Sequence, residues 1–459
     1  MTKFTPFNIY TIKKRTSHIK TNTMKNVIAV IDIGKTNKKI FLFDENFKVV
    51  SQKSIQFKEI TDKDGFACDD IESIENWIQN QIQEIQNHRE FKIKAINFST
   101  HGASLIYLNK EGERIAPLYN YLKPLEIKEY SNLYDSQGGI EDFSRKTASP
   151  AYGMLNTGLQ MLSLKKNQPE LWKQVDSIVH YPQYLSYLFS NKITADFTSV
   201  GAHTATWDFD KMQYHSWLQD ENIKLPEPCK GNEAVISDVN GERIAIGSGL
   251  HDSSSSIIPI LENEKGNDFV LLSTGTWIIA MNPFSKETLT QHQLQHNCLC
   301  FMTPDKQQVK SSMQFLGRIH EVYLNAFSDY FKVNIDTHLD LVLNETLCKE
   351  LIHQDARIFL AEGIDTDFES HDQYLQKFLS YEIAYYQLIY EISKKVVAGI
   401  DLIADENTNV SNVFISGGFN KNEMFIKFLI LLKTDITIKI SDCKNESALG
   451  AALLMKKYI

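Results

Sequence analysis

The sequence predicts an α/β protein of two domains whose halves face each other across a cleft. Its 459 residues exceed the usual size of one domain. Strand-like apolar runs alternate with amphipathic helical stretches. A strand, a small-residue turn and a second strand occupy residues 27–43, and the same arrangement returns at 269–281, which places Gly34 and Gly275 241 positions apart. We therefore expect a boundary near residue 245, between domains 24–245 and 246–459.

The first half opens with a meander of strands. Residues 27–33, VIAVIDI, are typical of a buried strand, residues 39–43 of a second, and a polar turn at 44–46 leads into a third. Isoleucines and Trp77 at three- and four-residue spacing predict a helix over 70–86. A strand over 93–98 ends in Ser-Thr-His-Gly, and another over 105–108 precedes a hairpin-type turn.

The rest of the chain returns to strands after a mixed, partly helical stretch over 150–225. Apolar strands separated by small polar turns resume after Gly241. A long amphipathic helix is predicted over 377–404, a strand over 413–416, a further helix, and a final helix from Glu446. This order supports a second α/β domain.

Charge and hydropathy exclude two classes of function. Lys and Arg number 48 against 57 Asp and Glu, and the net charge of −9 has the wrong sign for binding nucleic acid through its phosphates. No stretch approaches the ~18 uncharged apolar residues of a membrane span. The most apolar run, 424–432, is interrupted by Lys427. We expect neither a nucleic-acid partner nor membrane insertion.

The first 23 residues differ from the remainder. They hold five basic residues and no acid, and the chain from Met24 onward has a net charge of −14. They lack the apolar core of a secretory signal, although a basic segment with Ser and Thr also fits a transit peptide. Because Met24 directly precedes the first strand, we favour an extension upstream of the true start. The six scattered cysteines indicate reduced thiols, and we expect a cytoplasmic protein.

Three turns that follow apolar strands could bind phosphate: IDIGKTN at 31–37, STGTW at 273–277 and ISGGFN at 415–420. Glycine lets backbone N–H groups approach an anion, and Ser or Thr hydroxyls add donors. Each turn alone is more typical of a hairpin. A Walker A loop is excluded because Ala29 stands where its first glycine is required, and no G-x-G-x-x-G follows the first strand. The three turns together favour a nucleotide site.

His251-Asp252 precedes four serines near the predicted domain junction. Asp252 could cap a helix. A carboxylate beside an imidazole at the mouth of a cleft could equally act as general base for a hydroxyl nucleophile. The two interpretations are compatible.

Three other patterns favour structural roles. His292, His296, Cys298 and Cys300 have a zinc-like spacing, but residues 297–301 also fit a strand with its cysteines on one face. Trp277 and the tyrosines at 381, 385 and 386 are more typical of a core or interface than of a sugar platform. The acidic residues at 62, 64, 69 and 70 lack the pattern of an EF-hand and predict a solvated loop.

The motifs together resemble the FGGY family of carbohydrate kinases, within the superfamily of actin and hexokinase. The segment DIGKTNKK (32–39) is similar to the family's first phosphate motif, STGTW to its second, SGGFNKN (416–422) to its adenosine motif, and ESALGAA (446–452) to its closing helix. The resemblance spans residues 27–452 in family order. It implies an α/β fold of two RNase H-like, actin/hexokinase-type ATPase domains facing across a cleft.

The resemblance also implies ATP and Mg²⁺ as cofactors and assigns their residues. Asp32 would hold Mg²⁺, through water. The residues implied near the phosphates and adenosine are Gly34, Lys35, Thr36, Lys39, Thr274, Gly275, Thr276, Gly417, Gly418 and Asn422. Phe419 stands where the family usually has a third glycine, so the backbone path around adenosine is expected to differ.

Asp252 falls at the position of the family's catalytic base, with a small-molecule sugar as its substrate. A histidine before this aspartate is similar to the rhamnulokinase and fuculokinase branch, which implies transfer to O1 of a deoxy-ketohexose such as L-rhamnulose or L-fuculose. His251, Gly102 and His101 would contact the sugar, although His101 could instead make a structural hydrogen bond. Kinases for xylulose or glycerol, and a non-catalytic ATP- or sugar-binding switch, are the alternatives. Monomer and homodimer are both open.

Overall fold

A computed structural model describes residues 24–88, 90–360, 372–405, 408–441 and 443–459. The predicted extension at 1–23 lies outside these residues. The strands are β1 (Lys25–Ile33), β2 (Lys38–Phe43), β3 (Val49–Ile55), β4 (Ile60–Thr61), β5 (Ala67–Cys68), β6 (Phe91–Thr100), β7 (Leu105–Leu108), β8 (Ser177–His180), β9 (Ala195–Asp196), β10 (Trp207–Asp208), β11 (Gln213–Tyr214), β12 (Pro228–Cys229), β13 (Ala234–Val239), β14 (Glu242–Gly247), β15 (Leu250–His251), β16 (Phe269–Thr274), β17 (Ile278–Asn282), β18 (Cys298–Met302), β19 (Gln308–Gln314), β20 (Asn412–Gly417) and β21 (Thr437–Ile440).

The helices alternate with these strands. They are α1 (Ile71–Asn87), α2 (Ser131–Ser136), α3 (Ile140–Lys146), α4 (Thr157–Asn167), α5 (Pro169–Trp172), α6 (Tyr181–Ser190), α7 (Phe197–Val200), α8 (Trp217–Asp220), α9 (Asp252–Ser256), α10 (Ile258–Asn263), α11 (Gln291–Gln295), α12 (Leu316–Phe331), α13 (Glu345–Gln354), α14 (Asp372–Leu375), α15 (Tyr381–Ile403), α16 (Glu423–Leu432) and α17 (Glu446–Leu454). None of the helices in the described ranges combines the length and apolar character needed to cross a bilayer.

The first sheet is built around β1. Its strand order is β13-β14-β6-β1-β2-β3, and β15 also pairs with β6. β1 runs antiparallel to β2 and parallel to β6. The predicted boundary at residue 245 falls within β14, and β15 extends this sheet to His251. The first sheet therefore delivers the chain directly to Asp252.

The second sheet repeats the arrangement of the first. Its order is β18-β19-β17-β16-β20-β21. β16 runs antiparallel to β17 and parallel to β20, as β1 does to β2 and β6. The turns at Gly34 and Gly275 therefore occupy equivalent positions in the two halves, as the repeated strand–turn–strand pattern predicts.

Both faces of the first sheet are buried, because β1 is apolar on both. Ile31 and its neighbours on one face pack against α1 and α6. Ile28 and Val30 on the other face pack against Ala448 and Ala451 of α17. A helix of the second half of the sequence thus completes the core of the first sheet.

Two of the structural interpretations from the sequence need correction. Asp62 and Asp69 are buried and paired with Lys123 and Lys38, so the expected solvated acidic loop is wrong for them. Trp277 is 44% exposed with its ring against Phe315, so of the expected core or interface the core is wrong and the interface stays a prediction.

The strand interpretation of residues 297–301 is confirmed. Cys298 and Cys300 lie buried in β18. No group of three or more His, Cys, Asp or Glu side chains in the described part of the chain could hold a metal ion. The tyrosines at 381, 385 and 386 lie in the core of the second sheet, as expected.

Candidate active site

Three strand ends bring the predicted residues of the first half to one sheet edge. Asp32 of β1 lies in register with Ser99 of β6, and β15 pairs with Ser99 and Thr100. The chain leaves β6 at His101 and leaves β15 at Asp252. Carboxyl ends of parallel strands share an edge, which is where ligands bind in open α/β sheets. Residues 220 positions apart in sequence therefore converge.

Asp32 carries a partly buried carboxyl group at this edge. Burial raises the pKa of Asp32 to about 6, and the negative charge of Asp252 acts in the same direction. Ser447 Oγ donates to Asp32 Oδ1 at 3.1 Å, and Lys39 is its partner across the β1–β2 ladder. Both contacts oppose the rise in pKa. The two carboxyl groups, Asp32 and Asp252, thus lie close enough to repel each other.

Asp252 begins α9 with its side chain 33% exposed. Its Oδ1 accepts the backbone N–H of Ser253 at 2.6 Å, and His251 Nε2 lies 3.4 Å away. Burial raises the pKa of Asp252, while the proximity of His101 and the Ser253 hydrogen bond lower it. The carboxyl group combines a raised proton affinity with access from solvent.

His251 is packed against the turn that follows β6. Its Nδ1 lies 3.2 Å from Ser254 Oγ, and burial lowers its pKa to about 3, so the imidazole is neutral. A β-carbon at Gly102 would lie 3.1 Å from two atoms of this ring. Glycine at 102 therefore allows direct contact between the two predicted sugar-binding residues.

His101, the third predicted sugar residue, makes local contacts. Its Nδ1 lies 3.1 Å from Gly102 O, and its ring meets the edges of Tyr121 and Tyr181 at centroid distances of 5.7 Å. Its Nε2 is buried without a hydrogen-bond partner among the described residues. The structural hydrogen bond considered for His101 is present, and its Nε2 faces Asp69 Oδ2 at 3.8 Å.

Sequence reasoning missed other polar groups beside His251. A cavity of about 10 Å³ is bounded by His101, His251, His180 and Ser199. In the described residues, His180 Nε2 and Ser199 Oγ are buried without a partner. Most buried polar atoms have a partner, and a cavity of this size has room for at most one water molecule, which would pair with these atoms. Residues 150–225 carried no motif that could have identified them.

The first phosphate turn lies between β1 and β2. Gly34 N–H donates to Asn37 O at 3.0 Å and closes the turn. Lys35 Nζ pairs with Glu59 at 2.8 Å, and Thr36 is exposed. The predicted residues of this motif are thus grouped at the turn, with Lys39 beside Asp32.

The second and third turns adjoin each other in the second sheet. Thr274 of β16 is in register with Gly417 of β20. The Thr274 hydroxyl donates to Ser416 O and accepts from Phe419 N–H at 3.0 Å, so it is used within the fold. Gly417 has φ 84°, and a β-carbon there would lie 2.0 Å from Thr274 O. Only glycine fits this close approach.

A cavity of about 760 Å³ opens beside these two turns, a volume in the range of small-molecule sites. Its lining includes the predicted residues Thr274, Gly275, Thr276, Gly418 and Asn422. The amide of Asn422 is already engaged: it caps α16 through Phe425 N–H and donates to Tyr385 Oη at 2.9 Å. Phe419 also lines the cavity, with its ring against His320 and Phe425.

The start of α17 connects the two halves of the site. Ser447 bonds Asp32 through its side chain and accepts Ser255 Oγ at its carbonyl, at 2.7 Å. The neighbouring Glu446 accepts a hydrogen bond at 2.8 Å from Ser441, the residue after the end of β21. The ends of β1, α9 and the second sheet therefore meet through one helix end.

The sequence was compared with protein-family models and with curated proteins. A model described as the FGGY family of carbohydrate kinases, N-terminal domain, matches residues 27–258. The chain is 23% identical over 269 residues to a rhamnulokinase from Halalkalibacterium halodurans, covering 55% of each. It is 24% identical over 264 residues to a rhamnulokinase from Mannheimia succiniciproducens, covering 54% of this chain and 52% of that protein. These matches span about half the length of the curated relatives.

Solved structures share the fold along nearly the whole chain. A carbohydrate kinase from Novosphingobium aromaticivorans superposes with a TM-score of 0.79 at 18% identity, covering 95% of this chain and 92% of that one. A ligand-bound xylulose kinase from Lactobacillus acidophilus gives a TM-score of 0.75 at 18% identity, covering 94% and 89%. The expected pair of actin/hexokinase-type domains is confirmed. Since the family model covers half of the sequence and the fold extends over the rest, the chain belongs to the FGGY family of carbohydrate kinases.

Proposed function

We propose that this protein is an ATP- and Mg²⁺-dependent kinase that transfers the γ-phosphate to a hydroxyl group of a ketose. The observation that carries the proposal is the meeting of Asp32 and Asp252 at one sheet edge, close enough for each charge to act on the other. Phosphoryl transfer requires positioning, charge neutralisation and a group that accepts the hydroxyl proton. At this edge Asp252 would accept the proton, and Asp32 would hold the Mg²⁺ that neutralises charge.

Asp252 would accept the proton of the attacking hydroxyl. A general base is most effective when its pKa lies near the operating pH, and the pKa of Asp252 is raised. The neighbouring His251 is neutral, so it does not form an ion pair that would lower the basicity of the carboxylate. His251 and the Gly102 turn would instead orient the sugar.

Asp32 fits a role in holding Mg²⁺. This ion prefers oxygen ligands and retains several waters, so one carboxylate together with substrate phosphates can suffice. Asp32 is a partly buried oxygen donor whose ionisation is opposed by Asp252, and a nearby cation would relieve that repulsion. Bound Mg²⁺ would neutralise charge on the phosphates. Lys39, opposite Asp32, would add positive charge at the same turn.

We further propose O1 of a deoxy-ketohexose, such as L-rhamnulose or L-fuculose, as the phosphate acceptor. Two curated relatives are rhamnulokinases, and His251 precedes the proposed base. Solved neighbours also include xylulose kinases and a glycerol kinase from Plasmodium falciparum, so xylulose and glycerol are the competing acceptors.

ADP release from Mg·ATP, measured with a panel of acceptors, tests the proposal. We expect the highest kcat/KM with L-rhamnulose or L-fuculose and lower values with xylulose and glycerol. A preference for xylulose or glycerol would support the kinase activity but refute a deoxy-ketohexose as the acceptor. Sugar-independent hydrolysis with no phosphorylated product would reject the kinase in favour of an ATP-binding switch.

Gly102→Ala should weaken sugar binding selectively. The added methyl group would press on the imidazole of His251 at 3.1 Å, and the ring or the turn must move. We expect KM for the best ketose to rise about tenfold, the effect of losing one well-placed polar contact, with KM for ATP unchanged. Steady-state kinetics with each substrate varied separately provides the measurement. An unchanged KM for the sugar would show that the contact between His251 and Gly102 is not part of the sugar-binding site.

A further inference from the structure

Lys38 is a buried lysine next to the first phosphate turn. Its side chain is 2% exposed, and its ammonium group lies between the turn and Asp69. Its Nζ donates to Gly34 O at 3.2 Å, Lys35 O at 2.8 Å and Asp69 Oδ1 at 3.1 Å. All three protons of the ammonium group are used. Two of the three hydrogen bonds hold carbonyl groups of the turn itself.

Asp69, which lies outside the sheet, holds the ammonium group of Lys38 through an ion pair. It lies two residues before α1 and is 7% exposed. Burial alone would raise its pKa, but His101 and the charges of Lys38 and Lys35 hold the pKa well below its usual range. Asp69 is therefore ionised and gives the buried ammonium group its counter-charge. His101 Nε2 lies 3.8 Å from Asp69 Oδ2, which connects the pair to the sugar-side turn.

The two carbonyl contacts orient the peptide units of the turn. In a planar trans peptide the N–H points opposite to the C=O of the preceding residue. The Gly34 and Lys35 carbonyls both point to Lys38. The N–H groups of Lys35 and Thr36 must therefore point away from Lys38, out of the core. Outward N–H groups of consecutive residues favour an anion, while outward carbonyls would repel it.

We propose that the buried Lys38–Asp69 ion pair is a positioning device that presents the backbone N–H groups of Lys35 and Thr36 to a nucleotide phosphate. Lys38 acts through the turn and does not touch the phosphate. Asp69 acts one step further away, by holding Lys38. The inference deepens the proposed function, because it depends on nucleotide binding at this turn but not on the identity of the sugar.

Calorimetric titration with Mg·AMP-PNP, a non-hydrolysable ATP analogue, in the absence of sugar tests this role. Lys38→Met should weaken binding about tenfold or more, since it removes two charge-assisted hydrogen bonds from the turn. Lys38→Arg should restore the affinity to within about threefold of wild type, because it keeps charge and donors. Asp69→Asn, which is nearly isosteric, should fall between them and carries the test if Lys38→Met does not fold.

A second buried ion pair supplies a matched control. Lys310 and Asp405 lie 2.8 Å apart in the second half of the chain, with side chains 1% and 2% exposed. Both Lys310→Met and Lys38→Met should lower the thermal midpoint, but Lys310→Met should leave the analogue affinity unchanged. Equal losses of affinity in both variants, or no loss in Lys38→Met, would overturn the positioning role.

The same titration separates this inference from the proposed function. Wild-type protein that binds the analogue but phosphorylates no acceptor would refute the ketose kinase, and the loss in Lys38→Met would still support the positioning role. Wild-type protein that does not bind the analogue would overturn both.

Discussion

Replacing Asp252 with asparagine should lower kcat for ketose phosphorylation by about 10²-fold or more, the contribution typical of a general base. The amide keeps the shape of the side chain and can still accept the Ser253 N–H, but it cannot take up a proton. Because the group acts on the reacting hydroxyl, KM for ATP should stay within about threefold of wild type. The ADP-release assay with the best ketose, at saturating concentrations of both substrates, measures the effect.

Ser253→Ala is the matched control for Asp252→Asn. It removes only a hydroxyl group 3.3 Å from Asp252 Oδ1 and leaves the carboxylate in place. We expect its kcat within about threefold of wild type, as for a weak neutral hydrogen bond. Near-normal turnover in Asp252→Asn, with an unchanged fold by circular dichroism, would refute the assignment of the base.

Asp32→Asn should lower kcat strongly and stabilise the ligand-free protein at the same time. The folded-state pKa of Asp32, about 6, lies above the ordinary value of an aspartate, so the native state loses stability as pH rises from the ordinary pKa to about 6. At pH 7.5 that penalty is fully present. Asparagine carries no charge to bury and does not repel Asp252. We expect Tm of the ligand-free protein to rise by about 2–4 °C.

The catalytic loss in Asp32→Asn follows from the proposed magnesium role. A neutral amide is a poor ligand for Mg²⁺, and we expect kcat to fall at least 10²-fold, as when one charge-stabilising group is removed. Differential scanning calorimetry without nucleotide, together with the ADP-release assay, measures both effects. A fall in Tm would show that the carboxylate of Asp32 is not under electrostatic strain.

Asp196→Asn provides the contrast. Asp196 is fully buried, whereas Asp32 is only partly so, and the carboxylate of Asp196 accepts the N–H groups of Thr198 and Ser199 at 2.9 Å and also the Thr198 hydroxyl. Asparagine would replace one carboxylate oxygen, a hydrogen-bond acceptor, with an NH₂ group, and this donor would face the donors of Thr198 and Ser199. Burial raises the pKa of Asp196 as it raises that of Asp32, so removing the charge would also relieve a cost at Asp196. We nevertheless expect Tm of Asp196→Asn to fall, because the amide N–H group would be buried against other donors and the lost hydrogen bonds cost more than the relief of charge gains.

Local patterns predicted the elements that they determine. Apolar runs predicted β1, β2 and β16, and isoleucine spacing predicted α1, because burial of a sheet or helix face fixes those periods. The glycine turns were also predictable from local sequence, because their backbone geometry limits which residue types can occupy them. The positions of Asp32 and Asp252 at one edge needed the resemblance to a family, since no local pattern pairs residues 220 positions apart.

Long-range polar pairs could not be predicted. Lys38 belongs to a run of polar residues and shares a strand face with Ile40 and Leu42, yet a lysine there is normally exposed unless a partner is known. Its partner Asp69 lies 31 positions away within an acidic stretch that indicated solvent. His180 and Ser199 likewise reach the site only through tertiary packing.

The contact between α17 and the first sheet also affects biosynthesis. Asp32 and Ser447 are 415 positions apart, so β1 leaves the ribosome long before α17 is translated. Until then Ile28 and Val30 lack the alanines that cover them. The nascent first half therefore exposes an aggregation-prone apolar surface, which makes chaperone protection most valuable during that interval.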